Sequence, residues 1–409
     1  MTNRSYKYRI YPTKSQANYL NQNFGAVRFV WNHMVSNFNS WSSDGPNRPM
    51  NEKILKDDLE NPWLKDMISY GLQQKRMDFQ ETKKQYFNKG RKVKIGRPGF
   101  KKRGVSNDSF RIPGQTLKFN KCIDLHSGFI KLPKMTPIKI VIDRPFAGNL
   151  KSVTVSKNKV GQYYVSVLVE EDVVLKKDTH HMIGIDLGLK DLLVASSGLK
   201  ISNPRWFRKS QAELKKAQKH LSRKTKGSKR YEKQRLKVAK IHLKIKNQRN
   251  YVYQVLSTWL VDNYDIICLE DLNVKGMVKN RRLAKSISDA AWSSFVSMLA
   301  YKCTWYGKTF HRIDRWYPSS KTCSCCGHKM DQMTLDIREW VCPSCEIIHD
   351  RDLNAAINIL NKGLDDLYGL NSKELLEYRR GEEVRPEVVL PKASSVNRLA
   401  SFIEVYRTA

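Results

Sequence analysis

The sequence predicts an α/β protein of several domains, and three features of its patterning carry that prediction. A single strand-like run is followed by residues 15–104 with helical spacing, and then by a train of short β-type segments over 117–171. The second half alternates compact apolar strands with longer helical stretches. Between its last two elements lies a pair of C-x2-C turns. Strands followed by helices and then strands again point to packed α/β layers rather than an all-α bundle.

The first run, SYKYRIY (5–11), alternates apolar or aromatic with basic side chains, the period of a half-buried strand, and Pro12 ends it. From Ser15 to Trp41 the apolar residues Leu20, Phe24, Val27, Trp31, Met34 and Phe38 recur at three and four, the spacing of one helix face. SSDGPNRP (42–49) reads as a loop. Helical spacing returns with Ile68, Leu72, Phe79 and Tyr86, and 89–104 follows with eight basic and no acidic residues, its glycines and Pro98 favouring a basic loop. LKFNKCIDL, FIKLP, IKIVIDRP, LKSVTVSKN and QYYVSVLVEE then read as strands of a small β-barrel or sheet, the last two a hairpin across Lys157–Gly161. The helical stretch 15–104 is an insertion after the first strand, and 173–181 a linker.

MIGIDLGLKDLLVASSG (182–198) reads as two strands about a tight turn. Residues 202–250 hold 18 Lys or Arg against Glu213 and Glu232, with a helical apolar stripe toward Leu260. YDIICLED is a buried strand, DAAWSSFVSMLAYKCTWYG an apolar helix, and RDLNAAINILNKG a helix that Gly363 should stop. Beyond about 370 the mixed charge with Pro386 and Pro391 suggests a mobile tail.

Charge narrows the partners. Seventy-four Lys and Arg against 39 Asp and Glu leave a net charge of +35 over 409 residues. Such an excess speaks of polyanions, nucleic acid or an acidic membrane surface. No apolar run approaches the roughly 20 residues needed to span a bilayer, and the start lacks the apolar core of a signal peptide. A cytoplasmic protein without membrane partners is expected, with its eight cysteines reduced and available to metals.

Cys323-Ser-Cys-Cys326 and Cys342-Pro-Ser-Cys345 enclose fifteen residues, a spacing that brings four thiolates onto one Zn²⁺. Cys325 could in principle replace Cys326, although the x2 spacing and Gly327 favour the latter. Cys122, Cys268 and Cys303 lie in apolar stretches and read as core.

Two buried strands close on an acid: Asp186 after Met182–Ile185, and Glu270 after Ile266–Leu269. A third acidic cluster, Asp350-Arg-Asp352, opens the last helix. Strand C-termini are where α/β sheets bind ligands. Carboxylates converging there repel unless cations neutralise them, and two Mg²⁺ roughly 4 Å apart would also stabilise both oxygens of in-line phosphodiester cleavage. Taken singly, Asp350 or Asp352 could cap a helix, and Glu270 or Asp271 could pair with local lysines.

With those residues in place, the chain resembles the TnpB family, transposon-encoded RNA-guided DNA endonucleases related to the type V CRISPR effectors. The resemblance runs to about residue 363 and rests on GAVRFVWNHMV (25–35), GRPGFKKRG (96–104), GIDLGLKDLLVASSG (184–198), ICLEDLNVKGM (267–277), WYPSSKTCSCCGH (316–328), REWVCPSC and HDRDLNAAINIL. It implies an RNase H-like (RuvC-type) nuclease domain over 182–317 and 349–369, with Asp186, Glu270 and Asp352 as catalytic Mg²⁺ ligands and a zinc knot inserted at 318–348. It further implies a wedge β-barrel over 1–14 and 105–181, with a helical recognition domain at 15–104. Cys325 and Glu346-Ile-Ile depart from the family pattern without touching the carboxylates.

The same resemblance sets 202–250 beside a guide–target duplex, where Arg205, Arg208, Lys209, Lys215, Lys216, Arg223 and Lys224 would contact phosphates without reading sequence. Gln73, Gln74 and Arg76 are candidates for reading a short motif next to the target, since Gln can pair bidentately with adenine. The implied partners are a guide RNA from the transposon end and double-stranded target DNA, in a bacterial cytoplasm and at the nucleoid when DNA-bound. Two other functions share these features: a non-catalytic RNA-guided DNA-binding regulator, and a transposase acting without RNA.

Overall fold

The computed structural model describes residues 1–41, 61–88, 90, 95–104, 107–114, 123–124, 127–334 and 336–369. The expected loop at 42–49, most of the LKFNKCIDL run with Cys122, and the tail from 370 lie outside the described residues. The chain divides into two compact units, Met1–Val173 and Val174–Ala409.

In the first unit, β1 (Thr2–Tyr11) starts three residues earlier than its alternation suggested and turns Tyr6, Tyr8 and Ile10 into the core. It is flanked by β7 (Tyr163–Glu171) and β5 (Ile138–Val141), both antiparallel. β2 (Asp108–Pro113), β3 (Ile123–Asp124), β4 (Phe129–Ile130) and β6 (Asn149–Lys157) complete a seven-stranded sheet of order β2-β6-β7-β1-β5-β4-β3. The β6–β7 hairpin falls where Lys157–Gly161 placed it. Among the described residues the outer strands β2 and β3 do not pair with each other.

Two helices cover this sheet. α1 (Lys14–Trp41) buries the six apolar positions its spacing marked, from Leu20 to Phe38. α2 (Ser69–Phe87), preceded by a 3-10 turn at Pro62–Asp66, buries Leu72 and Phe79, the latter edge-on to Trp31 at 5.3 Å. Residues 95–104 are irregular, as their glycines required, but pinned. Trp31 donates to the Gly99 carbonyl (3.0 Å), Asn32 bonds both backbone groups of Lys101, and the Lys101 ammonium sits 3.7 Å from the Trp31 ring centre. Burial pulls that ammonium down to about 8.

The second unit is built on a five-stranded sheet of order β10-β9-β8-β11-β12. β8 (Met182–Asp186), β11 (Ile266–Glu270) and β12 (Thr309–Ile313) are parallel neighbours, while β9 (Asp191–Ala195) and β10 (Lys200–Ser202) run antiparallel. The chain leaves β10 into a basic helical hairpin, α3 (Trp206–Ser222) and α4 (Lys229–Asn263), and returns at β11. α5 (Val274–Met277), α6 (Ala284–Ala290) and α7 (Trp292–Tyr306) precede β12, and α8 (Arg351–Tyr368) closes the described chain. Strand alternation splits the sheet's faces. Ile183, Ile185, Ile267 and Leu269 share a core with α4 and α7, whereas Ile266, Cys268 and Ile313 pack with Ile359, Leu360 and Leu364 of α8.

Two expectations need correction. The single apolar helix over DAAWSSFVSMLAYKCTWYG is two, broken at Ala291, whose φ of 45° is left-handed. The freed carbonyls at the break are taken by Arg249, which donates to Ser288 and Asp289, and by the Tyr253 hydroxyl, which donates to Ala290. Nor does Gly363 stop the last helix, which runs on to Tyr368 with Gly369 as its left-handed cap. Gly363 is there for contact: a Cβ at that position would lie 2.3 Å from the Cys268 sulfur.

Candidate active site and thiolate centre

Glycine and register together bring the acidic residues to one place. In the parallel β8–β11 pair, Ile185 stands opposite Leu269, so Asp186 and Glu270 come next on adjacent strands, about 4.8 Å apart in backbone spacing. Side chains alternate along a strand, which puts Asp186 on the face of Gly184 and Glu270 on that of Cys268. Both faces look toward α8. The helix lies so close that a Cβ on Gly184 would sit 2.2 Å from the Ala356 carbonyl and 2.6 Å from the Leu360 nitrogen. Asp352 is one turn before Ala356 on the same helix face. It therefore reaches past the strand ends toward Asp186 and Glu270.

Their electrostatics agree with that placement. Burial pushes the Asp186 carboxyl up to about 7, with the charges of Glu270 and Asp352 adding to the rise. Glu270 is also raised by burial, opposed by a hydroxyl: Ser319 Oγ donates to its Oε1 at 2.5 Å. Asp352 accepts from Arg338 at 3.0 Å and from Arg351 at 3.0 Å. Asp350 is the helix cap, accepting from the Leu353 N–H at 2.9 Å and from Lys200 at 2.6 Å. Asp271 pairs with Arg312 and Arg315, arginines rather than the lysines weighed from sequence.

Ser319 and Arg338 were not singled out from sequence, and neither were Asn354 and Asn358. These two asparagines are almost fully buried on the otherwise apolar inner face of α8. Both donate to the Thr322 carbonyl, at 2.8 and 2.6 Å, and Asn358 donates to the Ser319 carbonyl at 2.7 Å. Polar residues four apart inside an apolar helical run were the available signal, since a buried amide needs partners.

The four cysteines form the one group among the described residues whose ligating atoms all lie within 4.8 Å of one another. Cys323–Cys345 and Cys326–Cys342 sulfurs are 3.6 Å apart in each pair. Tetrahedral zinc at about 2.3 Å from each sulfur requires roughly 3.8 Å between them, so the donor set fits that ion. Cys325 is exposed and outside the group, and Cys326 is the member of its pair that the group contains. In both turns the residue after the second cysteine is left-handed, Gly327 at φ 78° and Glu346 at φ 59°. Glu346 thus fills by force the place a glycine fills freely. β13 (Glu339–Val341) and β14 (Ile348–Asp350) form a hairpin that runs straight into α8, and Trp340 closes a small core over Cys323 and Cys342.

The basic residues divide by exposure. Arg205, Arg208, Lys209, Lys215, Lys216, Arg223 and Lys224 are all exposed along α3 and the turn after it. The opposite side of the α3–α4 hairpin buries Leu214, Ala217, Ile241 and Ile245. On α2, Gln73 is exposed, while Gln74 and Arg76 are half-buried.

The second unit is thus an α/β unit with a strand-end acidic cluster beside a four-cysteine group, and the comparisons say which proteins the chain resembles. Residues 164–281 match the family described as "Probable transposase", residues 292–359 a "Cas12f1-like, TNB domain", and residues 1–43 a "Helix-turn-helix domain". A "Putative RNA-guided DNA endonuclease" of Streptomyces pristinaespiralis is 37% identical over 370 residues, covering 88% of this chain and 89% of that one. A similarly named Escherichia coli protein is 31% identical, over 88% and 92%. A cryo-EM structure of a Cas12f1–sgRNA–target DNA complex aligns over 88% of this chain and 99% of that chain, at 15% identity and a TM-score of 0.33. The chain belongs to the TnpB family. Within the 1–43 match, the described residues 1–41 form one strand and one helix. No described helix is long and apolar enough to cross a membrane.

Proposed function

We propose that this protein is an RNA-guided DNA endonuclease that cuts double-stranded DNA beside a short motif, using Asp186, Glu270 and Asp352 as the ligands of Mg²⁺. The observation that carries this is the strand-end pair Asp186–Glu270 facing Asp352 on α8, with Asp186 pushed up to about 7 by burial and its acidic neighbours. Such carboxylates gain most from a cation, and the hard oxygen donor set suits Mg²⁺. When bound, the ions would activate a water and stabilise the leaving oxygen of a phosphodiester.

The remaining roles belong to the chain. Asp186, held protonated by burial, loses its proton to become a ligand, Glu270 accepts from Ser319, and Arg338 and Arg351 orient Asp352 by donating to its carboxylate. In this reading the β8–β12 sheet with α8 is an RNase H-like, RuvC-type domain, residues 182–317 and 349–369, with the structural zinc module 318–348 inserted. The first unit supplies a wedge β-domain with 15–104 as the recognition insertion. The exposed lysines and arginines of α3 track phosphates of a guide–target duplex, and Gln73, Gln74 and Arg76 read the adjacent motif. Guide pairing, not the protein, then carries the sequence specificity.

The test begins with sequencing RNA that copurifies when the protein is expressed with its flanking DNA. A single RNA with a constant part and a variable end is expected. With that RNA and Mg²⁺, wild type should cut a matched duplex, and Asp186→Ala should bind the RNA but not cut. Cleavage by Asp186→Ala would remove the site assignment. Strand-transfer products formed without RNA would replace the guided reading with that of a transposase.

A further inference from the structure

The loop that enters the thiolate module touches the acidic site directly, and its position is fixed by the helix that follows the module. Ser319 is 5% exposed, and its hydroxyl donates to Glu270 Oε1 at 2.5 Å. Its carbonyl accepts from Asn358 at 2.7 Å, and the Thr322 carbonyl accepts from both Asn354 and Asn358. The Asn354 oxygen accepts the Ser324 N–H at 2.9 Å. The turn is also closed on itself, with the Lys321 and Thr322 N–H groups both donating to the Pro318 carbonyl at 3.1 Å. Cys323, a member of the thiolate group, is the next residue.

Packing alone does not ask for this. An apolar pair at 354 and 358 would bury more cheaply beside Ala355, Ala356 and Ile359, because buried amides cost free energy unless every polar atom is matched. Here both side-chain nitrogens and the Asn354 oxygen go to one short segment, Ser319–Ser324. That segment carries a hydroxyl to a carboxylate at one end and a thiolate to the four-cysteine centre at the other.

We propose that Ser319 is a positioning residue for Glu270, and that the four-cysteine module, clasped by Asn354 and Asn358, sets the geometry of the acidic site through it. The inference rests on Glu270 being a metal ligand, as proposed above. Groups that hydrogen-bond a ligating carboxylate fix its orientation, and their loss commonly weakens metal binding 10–100-fold.

Mn²⁺ serves as the probe, its uptake by the full chain measured from the electron paramagnetic resonance signal of the free ion, without nucleic acid. Zinc content and thermal midpoint are followed in parallel. Asp186→Ala should lose the tight Mn²⁺ uptake. Ser319→Ala should weaken it about tenfold, Ser319→Thr should restore most of it, and both should retain zinc and the wild-type midpoint. Asn358→Ala should weaken uptake in the same direction. Wild-type uptake by Ser319→Ala, with loss in Asp186→Ala, overturns the positioning role and leaves the acidic site standing. Loss of zinc or of the midpoint in Ser319→Ala without rescue by Ser319→Thr makes the residue merely structural and also overturns it. Uptake unchanged in Asp186→Ala, or absent from wild type, removes the metal-ligand reading itself.

Discussion

Asp186→Asn should make the metal-free protein more stable at pH 8 and leave it nearly unchanged near pH 4. The native carboxyl holds its proton up to about pH 7, whereas the unfolded chain releases it near 3.8. Between those values the native state binds the extra proton, so stability falls as the pH rises through that window. Above it the full cost is present. Raising a carboxyl from 3.8 to about 7 disfavours the ionised native form by on the order of 4 kcal/mol. Asparagine has the same shape and never ionises, so it escapes that cost. Glu270 is raised in both proteins, and the comparison therefore isolates Asp186. For a unit of this size, 4 kcal/mol corresponds to about 10 °C in Tm.

Scanning calorimetry in Mg²⁺-free buffer at about pH 4 and about pH 8, near the lower edge of the window and above its upper edge, measures the difference directly. Added Mg²⁺ at the higher pH should then stabilise wild type and not the variant. Equal midpoints for the two proteins at pH 8, or a gap that does not close on acidification, would refute the account of Asp186 as a buried carboxylate awaiting a cation.

Two other substitutions probe the frame around it. Gly184→Ala places a methyl against the backbone of α8, so the helix must move off β8. A loss of about 1–3 kcal/mol by calorimetry, with loss of DNA cleavage, is expected, and a fully active, equally stable variant would show that α8 is not fixed there. Glu346→Gly relieves a left-handed residue in the second thiolate turn. It should tighten zinc retention by about 1 kcal/mol, or about fivefold, in competition with a chelator; unchanged retention would mean that the turn stores no strain.

What was legible in the sequence is what side-chain periodicity writes down. β1, α1 and the β6–β7 hairpin carry clean two- or three-to-four-residue patterns, and each falls close to where the pattern placed it. β12 was not read, because Thr309–Ile313 is an edge strand with His311 and Arg312 in its middle and one fully buried side chain, Ile313. β2 stands just after a glycine-rich basic loop, and β10 is three residues long. The break at Ala291 has no glycine or proline to announce it, being held by Arg249 and Tyr253 from another helix.

Gly363 was visible but ambiguous, since a glycine late in a helix signals either an end or a close neighbour. The acidic residues and cysteines stood out because charge at the end of an apolar strand and paired thiols are rare. Ser319 did not, since a loop serine looks the same whether it meets water or Glu270.

The asparagine clasp has a consequence for how the thiolate insert can vary. Residues 323–349 leave from a turn and return into a helix that are already bonded to each other through Asn354 and Asn358. The two ends of this 323–349 segment are thus held together by groups that flank it. Loop-closure entropy grows only slowly with length, and here the closure is made whatever lies between. A change in the segment's length therefore costs little in closure entropy, and what it must keep is the pair of contacts it makes with the main chain, Arg338 on Asp352 and Ser324 on Asn354.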